Sequence, residues 1–237
     1  MFKSILIKIY SSIFIKYSKK FSRKNLNNYL ENTINKYVIT SGNNNLKIIN
    51  IGASGAIGDF IKSKIESKGY KLIEIDIDEK RCPDLVLDIQ NMYSIDDNSV
   101  DIIFCLEVLE HVKNPFKAVE EIKRILKSGG IFIGSTPFIF PIHDEPYDYF
   151  RYTKYGILSL FNEFECLELK ERNSYMESWY VILLRLLNIG NIKQRLFGIM
   201  LFPFMILLLP FVLLFDAVIT NKQSTTGYFY VFRKNKK

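Results

Sequence analysis

Along the middle of the chain, apolar runs alternate with segments of helical spacing. LKIINI (46–51) is a short apolar run with β-branched residues, and it ends in the glycine turn GASGAIG (52–58). Residues 57–68 then place Ile57, Phe60, Ile61 and Ile65 on one helical face. KLIEID (71–76), DLVLD (84–88), SVDIIFCLEV (99–108) and IFIGSTP (131–137) read as further strands. PFKAVEEIKRILK (115–127) reads as an amphipathic helix, with Phe116, Val119, Ile122, Ile125 and Leu126 on its apolar face. Ser128, Gly129 and Gly130 are expected to stop it, as glycine does beyond a helix C-terminus. Strands alternating with helices predict an α/β fold whose parallel sheet is covered on both faces. In such sheets ligands bind outside the carboxyl ends of the strands.

The polar residues collect at those ends. The glycine turn follows the first strand, Asp76 ends the second, Asp88 the third and Glu107 the fourth. A glycine turn lets a ligand approach backbone N–H groups at a helix N-terminus. A carboxylate ending the next strand accepts hydrogen bonds from ribose hydroxyls, and an Asp ending the third meets an adenine amino group. Each of these alone also fits a plain turn or a helix cap. In this order they describe a site for a nucleoside-containing cofactor.

Two apolar regions flank this domain. In residues 1–24, Phe2, Ile5, Leu6, Ile9, Tyr10, Ile13, Phe14 and Tyr17 recur at helical spacing, with Lys3, Lys8 and Lys16 on other faces. That is the pattern of a helix lying in a membrane interface, or of one packed on its own domain. Residues 196–215, LFGIMLFPFMILLLPFVLLF, carry no charge and as a helix would span about 30 Å, the thickness of a bilayer core. Pro203 and Pro210 inside the run are expected to kink or split such a helix. Cations lie on both sides of it (Arg185, Lys193 and Arg195 before; Lys222, Arg233, Lys234, Lys236 and Lys237 after), which favours one cytoplasmic side for both ends. A re-entrant or interfacial hairpin meets both conditions. A hydrophobic lid or a dimer face is the alternative.

The 237 residues carry a formal charge of +7, with 48% apolar and 24% charged residues, a globular balance that excludes a disordered or fibrous chain. Residues 1–24 hold seven cations and no acid, and the other 25 cations match the 25 acids. The body is therefore neutral and only the N-terminal arm is basic. This argues against a broad nucleic-acid-binding surface and leaves a local membrane or polyanion contact; the expected partner is a membrane surface and no nucleic acid. Cys82, Cys105 and Cys166 form neither a metal-ligand pattern nor a disulfide framework, and no metal is expected. A reducing, cytosolic setting fits them.

IINIGASGAIG (48–58), IEIDID (73–78), LDIQNM (87–92), VDIIFCLEVLEHV (100–112) and LKSGGIFIGSTP (126–137) resemble the successive motifs of class I S-adenosylmethionine-dependent methyltransferases. The resemblance covers about residues 46–160 and is of the type 11 kind. It departs at Asn50, where the family usually has an acid, and at Ala56, where it has a third glycine. It implies a Rossmann-like seven-stranded sheet of order 3-2-1-4-5-7-6 with the last strand antiparallel. FECLELKERN (164–173) and TGYFYVFRK (226–234) would then be the sixth and seventh strands. The division that follows is an amphipathic arm (1–24), a linker or helix (25–45), a methyltransferase domain (46–173 with 226–237) and a hydrophobic insertion (174–225) before the last strand. Trp179 and Tyr180 would sit at headgroup level.

For S-adenosyl-L-methionine, the resemblance implies that Asn50 and the backbone of Gly52, Ala53 and Gly55 border the methionyl part. Asp76 would hold the ribose, Ile77 would pack on adenine, Asp88 and Ile89 would meet its edge, and Leu106 and Glu107 would border the cofactor on the fourth strand. The acceptor side falls on PFIFPIHDEPYDYFRY (137–152). Similar segments occur in methyltransferases associated with bacterial surface-polysaccharide and lipid-linked glycan genes. His143 is the expected general base, oriented by Asp144 or Asp148, because histidine titrates in the useful range. Arg151 either holds an acidic substrate group or fastens the loop through Asp148; His111 is expected to be structural or a pocket wall.

The leading expectation is O-methylation of a lipid-linked glycan or other amphipathic acceptor by an enzyme peripheral to, or monotopic in, the cytoplasmic face of a membrane. A nicotinamide-dependent epimerase or dehydrogenase shares the strand, turn and strand-end Asp. Its fingerprint is G-x-G-x-x-G, whereas Gly52, Gly55 and Gly58 give G-x-x-G-x-x-G. A catalytically inactive membrane scaffold of the same fold is the non-enzymatic alternative, supported by Asn50 and Ala56.

Overall fold

A computed structural model describes residues 12, 16–23, 25–40, 45–52, 55–187, 192–219 and 223–236. Most of the amphipathic arm therefore lies outside the described residues, as does Ala53. The chain divides into two compact units. One comprises Asn27–Phe138, Ile142–Lys170 and Tyr228–Lys237; the other comprises Met1–Leu26, Ile139–Pro141 and Glu171–Gly227.

The first unit is built on seven strands: β1 (Ile48–Ile51), β2 (Leu72–Asp76), β3 (Leu85–Val86), β4 (Val100–Leu106), β5 (Leu126–Pro137), β6 (Phe164–Glu171) and β7 (Gly227–Lys234). Their order is β3-β2-β1-β4-β5-β7-β6, with the last strand antiparallel. β1 is buried at all four positions, as a strand covered on both faces must be. It pairs in parallel with β2 and with β4, Ile49 facing Ile73 and Ile103. This order separates the fold from the dinucleotide-binding 3-2-1-4-5-6 sheet and removes the fold-level case for a dehydrogenase.

The helices of this unit are α1 (Leu26–Ile34), α2 (Gly55–Glu66), α3 (Pro115–Ile125) and α4 (Lys154–Leu160). α3 starts where Asn114 accepts the Lys117 N–H and Pro115 takes the first helical position, which needs no donor. Its buried face is Ala118, Val119, Ile122 and Ile125. The expected glycine stop is corrected: α3 ends at Ile125 and Leu126 is already extended, pairing with Val100. The β4–β5 register then shifts, so that Ile102 faces Ile131, and Gly129 with φ 78° lies in the intervening irregularity. The glycines serve the strand, not the helix.

Aromatic side chains close the β5–β7 side of the core. Phe161 stacks on Phe232 at 4.6 Å and on Phe132 at 4.9 Å, and Phe164 meets its edge at 5.5 Å. Gly134 leaves room for Tyr230, whose Cε2 would lie 2.2 Å from a Cβ at that position.

The second unit is dominated by two helices, α5 (Tyr175–Leu187) and α6 (Ile192–Val218). Pro203 and Pro210 do not split α6, which runs unbroken for 27 residues. The proline φ lies within the helical range, so each ring removes one backbone bond without forcing the chain out of the helix. The hairpin is thus made by α5 and α6 together, not within 196–215. Tyr180 is another correction: it is buried, and its hydroxyl donates to Met205 O at 2.8 Å, so it seals the helix pair instead of facing a headgroup layer. Trp179, beside it, is 56% exposed. The described end of the arm joins this unit: Phe21 packs edge-on to Tyr180 at 5.4 Å, and its carbonyl accepts from Asn173 Nδ2 at 2.6 Å.

Phe161 contacts four other rings of the core, so Phe161→Ala should lower stability by roughly 3–5 kcal/mol. Urea unfolding followed by circular dichroism measures it; a loss under about 1 kcal/mol would mean that the cluster repacks around the cavity.

Candidate active site

Strand ends and the turns after them build one side of the site. Beyond β1 the chain turns at Gly52, whose φ of 75° is strained for any residue with a side chain. A Cβ there would stand 2.3 Å from Val108 Cγ2, so the turn packs directly on the segment after β4. The Gly52 N–H donates to Ile75 O at 2.9 Å and ties the turn to β2. Gly55 opens α2 with φ 80°, and a Cβ there would meet nothing within 4 Å. That open approach at a helix N-terminus suits a polar ligand lying against backbone N–H groups. Asn50 is buried on β1, and its Nδ2 has no hydrogen-bond partner among the described residues. Such a donor costs on the order of 1–3 kcal/mol, which a ligand acceptor atom would relieve.

Asp76 is buried at the end of β2. One of its oxygens accepts the Asp78 N–H at 2.9 Å and the other accepts from Arg81 at 3.1 Å. Ile77 follows it and is 69% exposed, a bare apolar side chain of the kind that packs on a flat ring. Asp88 turns its carboxylate onto Gln90, taking the Gln90 N–H at 2.8 Å. The Ile89 side chain lies in the core, so only its backbone is available at a ligand's edge. Leu106 is buried at the end of β4. Glu107, in a left-handed conformation with φ 56°, accepts from Ser135 Oγ at 3.0 Å and is thereby held to β5.

The loop of residues 142–152 supplies the other side, fastened to the turn Leu109–His111 after β4. Tyr149 and Phe150 N–H both donate to Glu110 O, at 2.8 and 3.1 Å, and the Tyr152 hydroxyl donates to Leu109 O at 3.0 Å. His111 Nδ1 lies 2.8 Å from Tyr147 O. At the loop's centre stands Asp148, its side chain 1% exposed. Arg151 grips it with both terminal nitrogens at 2.5 Å, and the His143 N–H donates to it at 2.8 Å. Burial would raise the Asp148 pKa, but the bonds from Arg151 and from the His143 N–H outweigh it and hold the carboxyl at about 2. His143 Nδ1 is 3.2 Å from the same carboxylate. Burial lowers the His143 pKa, Asp148 pulls it up, and the net shift is downward, so the ring is neutral at neutral pH.

The residue that orients His143 is therefore Asp148. Asp144 is exposed, sits in a turn with φ 54°, and lends its carbonyl to the Tyr147 N–H. Arg151 fastens the loop through Asp148, the second of its two expected roles. Sequence reasoning missed Glu110, which is wholly buried and 3.8 Å from His111 Nε2. The His111 and His143 rings meet edge to face at 5.1 Å. Candidate ligand atoms of Glu110, His111 and His143 all lie within 4.8 Å of one another.

Residues 54–134 match the family model described as a methyltransferase domain. Solved structures similar to this chain include a SAM-dependent methyltransferase from Archaeoglobus fulgidus, at 13% identity over 93% of this chain and 99% of that one, with a TM-score of 0.58. Another is phosphoethanolamine N-methyltransferase 2 of Haemonchus contortus in complex with S-adenosyl-L-methionine, at 14% identity over 88% of this chain and 53% of that one, TM-score 0.54. A third is the [4+2]-cyclase SpnF, at 13% identity over 89% of this chain and 82% of that one, TM-score 0.57. At these identities the likeness establishes the fold. No curated protein matches the sequence. The match over residues 54–134 and the sheet order show a methyltransferase-type domain of Rossmann-like fold, the kind that takes S-adenosyl-L-methionine as cofactor.

If Asp76 holds the ribose, Asp76→Ala should weaken binding of S-adenosylhomocysteine at least tenfold, since hydrogen bonds to a charged group contribute about 1.5–3 kcal/mol each. Isothermal calorimetry measures this, and an unchanged affinity would refute the ribose assignment.

Proposed function

We propose that this protein methylates a hydroxyl of an amphipathic acceptor, such as a lipid-linked glycan, at the cytoplasmic surface of a membrane. Bound S-adenosylmethionine supplies an electrophilic methyl group, so the protein's task is to align acceptor and cofactor and to manage the hydroxyl proton. Asn50, Gly52, Gly55, Asp76, Ile77, Asp88, Leu106 and Glu107 face the cofactor in this reading. The loop of residues 142–152 faces the acceptor, with His143 as the side chain that meets its hydroxyl and Asp148 and Arg151 holding that ring in place.

The observation that carries the membrane part is the outer face of α6. Leu196, Phe197, Phe204, Leu207, Phe211 and Leu214 are all exposed on it, and α6 is the one helix among the described residues long and apolar enough to cross a bilayer. Connectivity argues against a simple crossing. β6 and β7 are neighbours, Arg172 N–H donating to Gly227 O at 3.0 Å, so the chain leaves and returns at one place. α5, with 13 residues, is about 20 Å long and too short to bring a crossed chain back through a core of about 30 Å. A helix pair dipping into or lying on the lipid satisfies both facts. Between α5 and α6 runs an apolar groove of about 410 Å³ lined by Met176, Trp179, Leu183, Leu208, Phe211 and Phe215. It suits a hydrocarbon tail.

Mass spectrometry of lipid and glycan extracts from cells with and without the protein should show one acceptor differing by a single methyl group. Absence of any such product, together with no transfer of labelled methyl to membrane extract, would favour the inactive scaffold. Protein lacking residues 1–24 should lose rate on membrane-borne acceptor and keep it on a soluble fragment; equal loss on both would reject tethering.

A further inference from the structure

We infer that Glu110, His111 and His143 form a binding site for one divalent transition-metal ion of the zinc class. The first support is their chemistry. Two imidazoles and one carboxylate are a set that zinc and its neighbours favour, and three protein ligands leave a position for water or an acceptor oxygen.

The second support is the state of the His111 ring and the fixing of His143. His111 Nδ1 lies 2.8 Å from Tyr147 O, and a carbonyl only accepts, so Nδ1 carries the proton and Nε2 the lone pair. His143 Nδ1 lies 3.2 Å from the Asp148 carboxylate and 3.5 Å from Arg151 Nη2, which hold the ring in place. Metal-binding histidines are held in this way, with the second ring N–H given to a carbonyl or a carboxylate. Here the His111 ring has such a partner in the Tyr147 carbonyl.

The third support is spacing. Ligand atoms about 2.0–2.1 Å from a tetrahedral ion stand about 3.4 Å apart. His111 Nε2 and Glu110 Oε1 are 3.8 Å apart, and all three candidate atoms lie within 4.8 Å. Glu110 is wholly buried.

Binding of the ion stands on this geometry alone; its use rests on the function proposed above. With an ion bound, His143 would be a ligand in place of the base described above, and the ion would take over the task of acidifying the acceptor hydroxyl in the open position.

The test uses the full-length protein, stripped with chelator and titrated with Co2+ while visible absorption is followed, then with Zn2+ in competition. One ion per chain should bind. Glu110→Gln, His111→Asn and His143→Asn should each weaken binding at least tenfold. Asp148→Asn, which alters no ligand, should weaken it by about 10–100-fold. S-adenosylhomocysteine affinity reports folding in every variant. If Glu110→Gln does not fold, the loop variant His143→Asn decides. The inference is overturned if wild-type protein that binds S-adenosylhomocysteine takes up no Co2+. It is equally overturned if folded His111→Asn and His143→Asn bind Co2+ as tightly as wild type, for the ion then sits elsewhere, as at the exposed Cys82 or Cys166. Failure of methyl transfer with intact Co2+ binding would bear on the proposed reaction and leave the site standing.

Discussion

β7 lies between β5 and β6, and everything joined to it answers to that placement. A strand inserted there must find an open slot, which Gly134 provides beside Tyr230 and the stacked rings of Phe161 and Phe232 line. Because β6 and β7 are neighbours, the segment between them has to begin and end at one place, and among its described residues it holds the two helices α5 and α6. The strands from β1 to β5 carry the strand ends and the loop that form the candidate site.

Most of this sheet was readable in advance, because buried parallel strands are nearly continuous apolar runs and LKIINI or VDIIFCL are hard to place elsewhere. The errors came where local rules compete. Gly129 and Gly130 look like a helix stop, yet the strand claims them, since the bulge between β4 and β5 needs a positive φ. Pro203 and Pro210 look like breaks, yet a long run of strong helix formers packed along α5 tolerates two missing donors. Tyr180 reads as an interfacial aromatic, but a neighbouring backbone carbonyl at Met205 satisfies its hydroxyl inside the pair. Windowed patterns do not contain these tertiary partners.

The site was legible in part, for the same reason. Strand-end residues such as Asp76 and Ile77 are placed by the fold itself, so locating the strands locates them. Asp148 and Glu110 are placed by one loop folding over the turn after β4. The choice of Asp148 over Asp144 depends on which carboxylate Arg151 reaches, and the backbone at Glu110 is tied to the loop by the Tyr149 and Phe150 N–H groups. Nothing in the local sequence distinguishes an acid that will be covered from one that will face solvent.

The contact between Gly52 and Val108 has a wider consequence. The turn that approaches one ligand and the segment leading to His111 occupy a shared volume, with no slack for a side chain at position 52. A molecule that shifts the turn therefore presses on the strand end bearing Glu107 and on the residues that anchor the 142–152 loop. If two ligands meet at this contact, any change of affinity that one produces for the other must be returned in equal measure, whichever binds first.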